Sequence, residues 1–313
     1  MSDGETDHAA ALARLPAGEM TRLTVASDAR GLAQLVTHLG LLALTGAIVA
    51  YADGWWALPA MLLHGIILVF LFAAVHESIH QTAFRSAWLN RTVANLAGFL
   101  IFLPPIAFSF FHFAHHRHTH DPERDPELAD GGVANMRVYL VRLTGWHYWT
   151  GQGRAILATA FGSDLPGYVP KRATDRVRRE ARLYLAGYVL ILAVSIAAQS
   201  ALLLWLWVVP LLLGQPALRA YLMAEHTACP LVPDMLRNTR TTFTNRLIRW
   251  LAWEMPNHTA HHAAPRVPFH KLPVLTAHLR ADLRATANGY PDAHGQILTD
   301  LTLRSSSSPA AAE

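Results

Sequence analysis

Cysteine is almost missing from this chain: Cys229 stands alone among 313 residues. No disulfide can close within the chain, and thiolates can supply at most one ligand to a metal. Lysine is nearly as scarce, with only Lys171 and Lys271, so the net charge of +4 is carried by arginine. Charge is thin overall. Only 15% of the residues are charged and 52% are apolar, whereas a soluble domain carries roughly a quarter charged residues. The arginines fall between and after apolar stretches, a placement that suits membrane orientation and not nucleic-acid binding. Absent too are a Gly-x-Gly-x-x-Gly loop, a His-Pro-Gly-Gly haem signature and a cysteine-pair iron site. Asp3, Glu5, Asp7 and Glu19 precede the first apolar run, unlike the basic start of a cleaved signal peptide. The serine and alanine run from Ser305 to Ala312 has the composition of a disordered tail.

What is present is apolar length. A membrane helix needs about 20 mostly apolar residues, and four stretches qualify: about 32–52, 55–75, 183–198 and 201–223. The third is slightly short unless its polar flank contributes. Trp55, Trp56, Trp205 and Trp207 suit interfacial anchoring. A fifth stretch, 93–111, is broken by Pro104-Pro105, which removes backbone donors and disfavours helix just before it. It reads as a re-entrant or interfacial hairpin, with a full crossing as the alternative. The Asp53-Gly54 and Gln199-Ser200 turns carry no Lys or Arg, while the N-terminal segment, the middle loop and the C-terminal region are arginine-rich. The positive-inside rule then places both termini and both large loops in the cytoplasm. The expected fold is an all-α integral membrane protein, with about four transmembrane helices in two hairpins and a cytoplasmic helical cap. Residues 1–30 form a cytoplasmic N-terminal segment, 31–285 the membrane domain and 286–313 a C-terminal tail.

Histidine is abundant, 18 residues in all, and clustered. His76 and His80 stand four apart at the end of the second span. His112, His115 and His116 recur at spacings of three and four, as do His258, His261 and His262, so each set lies on one helical face. His226 stands apart, just past the fourth span. Isolated histidines such as His8, His38, His64, His147, His278 and His294 read as ordinary interfacial polar residues. Imidazole suits zinc, copper, iron and nickel. One zinc takes about four ligands, so nine imidazoles are too many for one ion and suit two. His76-Glu77-x-x-His80 also matches the zinc metalloprotease pattern, but that match leaves seven other histidines unexplained.

Taken together, His-x-x-x-His, two His-x-x-His-His boxes and a further histidine between them resemble the membrane fatty acid desaturase superfamily, which also holds hydroxylases, carotenoid ketolases and alkane monooxygenases. The run 115–127 and the stretches Asn238-Thr239-Arg240-Thr241-Thr242 and Trp253-Glu254-Met255-Pro256 add to the resemblance, which covers about residues 35–285. It implies ligation of two non-haem iron ions by His76, His80, His112, His115, His116, His226, His258, His261 and His262. His118, His120 and His270 stay outside that set. Glu77 and Glu225 are the candidate catalytic-site carboxylates, placed to hold the outer ring proton of a bound histidine; Asp121, Asp125 and Glu254 are further candidates. Some acyl desaturases carry asparagine four residues before the isolated histidine. Here that position is Leu222, and Glu225 precedes His226 as in the alkane monooxygenase branch.

The implied reaction is O2-dependent desaturation of a fatty acyl or lipid-like chain. The alternative is hydroxylation or ketolation of an alkane, carotenoid or small amphiphile. Electrons would come from a separate ferredoxin, rubredoxin or cytochrome with its reductase, and the implied location is a bacterial inner membrane with the histidine boxes cytoplasmic. The arginines of 171–182 read as topological or headgroup contacts, or as a docking site for an acidic carrier.

Overall fold

A computed structural model describes residues 7–162 and 164–307. Helices α1 (His8–Ala13) and α2 (Glu19–Leu23) precede the long α3 (Asp28–Tyr51). Next come α4 (Ala57–Val69), α5 (Leu71–Ile79), α6 (Ala87–Leu100) and α7 (Pro105–His118). Helices α8 (Met136–Leu143) and α9 (Trp146–Phe161) lead to α10 (Thr174–Ala197). A π-helical turn at Leu204–Val208 then opens α11 (Val209–His226). Beyond are α12 (Met235–Asn238), β1 (Thr241–Phe243), α13 (Arg246–Leu251), α14 (His258–Ala263), α15 (Leu272–Leu279), β2 (Thr286–Asn288) and α16 (Tyr290–Ser307). The two strands pair in parallel, Thr241 opposite Thr286.

Among the described residues, Asp28–Tyr51, Gly54–Ile79, Lys171–Ala197 and Leu204–His226 are long and apolar enough to cross a bilayer. The third is longer than its apolar stretch because the polar flank carrying Arg176, Arg178 and Arg179 continues the same helix. Contacts divide the chain into two units. One, the membrane unit, comprises Ser27–Phe113 and Thr144–Arg219; the other takes the residues before Ser27, Ala114–Leu143 and the chain from Ala220 onward.

In the membrane unit, leucine, isoleucine and valine side chains of α3 and α10 are exposed, as lipid-facing residues are. His38 and His64, expected at an interface, are instead buried. A buried imidazole in a span needs partners. His38 Nε2 lies 2.9 Å from the Ile67 carbonyl, and His64 lies 2.9 Å from Thr45 Oγ1 and 3.1 Å from the Leu206 carbonyl. These bonds tie α4 to α3 and to the π-helical turn. Helix α4 also meets α11 at two glycines: a Cβ on Gly65 would fall 1.9 Å from the Pro210 carbonyl oxygen, and one on Gly214 would fall 2.2 Å from Gly65. Small residues permit this close backbone approach.

At Pro104-Pro105 the chain bends by 100° between α6 and α7. Such a break frees backbone groups that lipid cannot satisfy, and side chains of this unit take them up. Tyr188 Oη donates to the Phe99 carbonyl (3.0 Å), Trp207 Nε1 to Leu100 (2.6 Å), Tyr148 Oη to Ile101 (3.2 Å) and Gln152 Nε2 to Phe102 (2.8 Å). Trp207 is therefore a bracing residue and not an interfacial anchor. Trp55 and Trp56, by contrast, are exposed and stacked on each other at 3.8 Å. Two arginines of the basic segment also have local duties: Arg178 donates to the Gly162 carbonyl and Arg182 to Ala160, closing the C-terminal end of α9.

In the other unit, Tyr139, Met223, Ile297 and Leu301 form one apolar cluster, and Ala224, Ala287 and Ala293 another. The expected tail thus contributes β2 and α16, and Ile297 is fully buried. Helix α16 reaches into the serine run, where Ser305 and Ser306 turn their hydroxyls back onto the Thr302 and Leu303 carbonyls. Residues 308–313 lie outside the described residues.

Candidate metal centre

The membrane unit gathers the first box and the start of the second. Helix α5 ends at Ile79 with His80 as its C-cap, still in helical geometry, so His76 and His80 project from one face. One ligand nitrogen each of His76, His80 and His112 lies within 4.8 Å of the others, and His80 Nε2 stands 3.0 Å from His112 Nε2. Phenylalanines wall this cluster: Phe72 lies 6.0 Å from His76 between ring centroids, and Phe108 stacks on His112 at 5.3 Å.

The other unit gathers the remaining six imidazoles. His115, His226 and His262 bring ligand nitrogens within 4.8 Å of one another. His226 Nε2 faces His115 Nε2 at 3.3 Å and His258 Nε2 at 3.1 Å, and His116 Nε2 faces His261 Nε2 at 3.1 Å. His112, His115 and His116 all belong to α7, a single unbroken helix.

These spacings fit a metal. Two nitrogens each about 2.1 Å from one ion, at right angles, stand about 3 Å apart. His262 Nε2 is buried with no hydrogen-bond partner, which is costly for a polar atom unless something binds it. Burial first, then the neighbouring His116, His258, His226 and His115, hold the His262 pKa well below its ordinary value, so the ring is neutral and its lone pair available.

The outer nitrogens of His115 and His226 are held by acceptors, the arrangement that orients ligating histidines, and that of His258 lies near a carboxylate. His115 Nδ1 donates to Asp125 (3.0 Å), His226 Nδ1 to the Asn238 carbonyl (3.1 Å), and His258 Nδ1 lies 3.3 Å from Glu225 Oε1. Asp125 is buried and also accepts from the His120 and Glu127 amides. Burial pushes its pKa up, but the hydrogen bond and charge of His115 and the two amides outweigh that and lower it. Replacing Asp125 with alanine is expected to weaken metal binding about 10–100-fold. A competition titration with a chromophoric chelator reads this, and unchanged affinity would show that the carboxylate does not orient His115.

The other candidate carboxylates are placed differently. Glu77 accepts from the Thr82 hydroxyl at 2.9 Å and lies 3.9 Å from His76 Nδ1, beyond hydrogen-bond reach. Glu254 is clamped by Arg249 at 2.7 and 3.0 Å, and Asp121 pairs with Arg124. His120 turns away from the cluster to the Pro230 carbonyl at 2.9 Å, and His270 packs on Phe269. His118 belongs to neither ligand group.

Sequence reasoning missed one residue here. Arg240, read as a topological charge, is buried, and its guanidinium donates to the Ala224 and Thr227 carbonyls at 2.6 and 3.0 Å. Its own amide donates to the Glu225 carbonyl at 2.7 Å. A cation on the last carbonyls of a helix is favourable, and this one holds the end of α11 that carries Glu225 and His226. Charge and composition alone do not distinguish it from its half-buried neighbour Arg237.

Comparison with known proteins agrees with this architecture. A similar protein is the sn-1 oleoyl-lipid 12-desaturase of a Picosynechococcus species, 28% identical over 110 residues. That match covers 33% of this chain and 32% of the relative, about a third of each. The fatty acid desaturase family model matches residues 53–293, most of the chain and all nine histidines of the candidate centre. With its apolar spans and its clustered imidazoles, this integral membrane protein belongs to the fatty acid desaturase family.

Proposed function

We propose that the chain is an O2-dependent diiron oxidoreductase that desaturates a fatty acyl or lipid-like chain. His76, His80, His112, His115, His116, His226, His258, His261 and His262 would hold two iron ions. The observation that carries this reading is the set of Nε2 atoms facing one another at 3.0–3.3 Å. Behind them, the outer nitrogens of His115 and His226 rest on a carboxylate and a carbonyl. Helix α7 supplies three of the nine from one element.

Iron held there supplies, with O2 and external electrons, an oxidant able to take hydrogen from an unactivated C–H bond. The protein's share is orientation and exclusion of water. Asp125 and the Asn238 carbonyl fix the rings and tautomers of His115 and His226, and Glu225 stands 3.3 Å from His258 Nδ1. Phe72 and Phe108 give the cluster in the membrane unit an apolar wall suited to a hydrocarbon chain and hostile to water. Glu77, bonded to Thr82, acts in this reading on the arrangement of the first box.

Family membership favours this reading over a zinc metalloprotease for the pattern at 76–80. A second reading, hydroxylation, draws on Glu225, which sits beside His226 in sequence and faces His258 Nδ1. Both readings need a separate electron carrier and reductase. Arginine placement puts the termini and histidine boxes on the cytoplasmic side of the membrane, a bacterial inner membrane in this reading.

The deciding experiment is mass spectrometry of lipids and small metabolites from a host with and without the gene, beside iron analysis of the purified protein. Desaturation removes two hydrogens from a product, and hydroxylation adds one oxygen. Stoichiometric zinc without iron would overturn the diiron reading.

A further inference from the structure

We infer that Glu180 is a positioning residue for the metal centre, holding the helix that carries the second histidine box. The inference rests on the diiron reading for its consequence, though not for its geometry. Helix α7 starts at Pro105, directly after the 100° break. The first amides of a helix have no partner within it, and proline has none to offer. Ile106 and Ala107 therefore present the first unsatisfied donors, in a part of the chain where lipid cannot accept them.

Glu180, on α10, receives both. Ile106 N–H points at its two carboxylate oxygens at 2.8 and 3.1 Å, and Ala107 N–H at Oε2, 3.1 Å. The side chain is only 5% exposed. A carboxylate at a helix N-terminus also opposes the positive end of the helix dipole, an effect strengthened by burial. Glu180 is not isolated on its helix. Tyr184 and Tyr188, four and eight residues on, donate from the same face to the Asn95 and Phe99 carbonyls of α6. One stripe of α10 thus supplies hydroxyl donors to the end of α6 and a carboxylate acceptor to the start of α7, fixing the bend from both sides.

The consequence reaches the histidines through α7 itself. His112 lies six residues beyond Ile106, roughly 9 Å along the axis, and His115 and His116 follow on the same rigid element. Ligand nitrogens tolerate little displacement, since a site about 1 Å too loose loses function. A shift at the start of α7 would therefore move three imidazoles together.

The test uses the full chain in detergent, comparing wild type with Glu180→Ala, Glu180→Gln and Glu180→Asp. Cobalt(II) absorption reports ligand geometry, and iron content reports occupancy. Hydrogen exchange of the 105–118 segment, measured against α3 and α4, reports the cap without any metal. Expected are faster exchange confined to 105–118, a changed cobalt spectrum and at least tenfold weaker metal binding in Glu180→Ala, with partial recovery in Glu180→Asp. If the alanine variant does not fold, the near-isosteric Glu180→Gln decides by the same readouts. Exchange and spectrum both unchanged in a folded variant would overturn the inference, and so would exchange rising equally in α3 and α4. If wild type binds no iron, the diiron reading fails, and the exchange data still judge the cap.

Discussion

Replacing His226 with alanine is expected to cost the protein its metal and its activity while leaving it folded in the membrane. His226 stands between His115 and His258, facing each through Nε2 at 3.3 and 3.1 Å. It is the one member of the set outside any histidine box. Truncation leaves the Asn238 carbonyl without its imidazole partner, a penalty of about 1–3 kcal/mol. Against a total stability of about 5–15 kcal/mol that is survivable. The loss of a ligand is not. It should exceed the roughly 10–100-fold penalty that attends removal of an outer partner. Iron content should fall from close to two per chain to one or fewer, with product below detection. A variant with full iron and normal turnover would remove His226 from the centre.

The second large effect is structural. Alanine at Gly65 places a methyl 1.9 Å from the Pro210 oxygen, 2.7 Å from the Pro210 carbonyl carbon and 3.0 Å from the Gly214 amide. All three are backbone atoms, so no rotamer change relieves the clash. Overpacking a core typically costs about 1–3 kcal/mol, and an obstruction made of backbone belongs at or above the top of that range. Separating α4 from α11 would also strain the His64 bond to the Leu206 carbonyl. Gly40 is the control: it lies in α3, and a Cβ there meets nothing within 4 Å. Alanine at Gly40 should be neutral or stabilise by up to about 1 kcal/mol through helix propensity. Thermal unfolding in detergent compares the two, and equal melting temperatures would refute the close crossing.

The spans were legible because hydrocarbon thickness demands a length of apolar sequence, and composition shows that length directly. The break at Pro104-Pro105 was legible because proline cannot donate. Its repair was not. Tyr148, Gln152, Glu180, Tyr188 and Trp207 come from sequence positions 47 to 107 residues beyond their partners, and each local stretch reads as ordinary amphipathic or apolar helix. His38 and His64 were misread for a similar reason. An imidazole in a span looks interfacial until the carbonyl that accepts from it is known.

The same division holds at the metal centre. Spacings of three and four residues on a helix are fixed by its pitch, so the sequence alone determined which imidazoles share a face, and their number argued for two ions. Which carboxylate serves which ring depends on where loops return. Asp125, ten residues from His115, reaches it, while Glu254, four residues from His258, is held by Arg249 instead. Arg240 likewise differs from any surface arginine only in lying beneath the end of α11. Periodicity and composition act along the chain and can be read there. Hydrogen-bond partners across long loops are chosen by packing, so only the tertiary structure decided them.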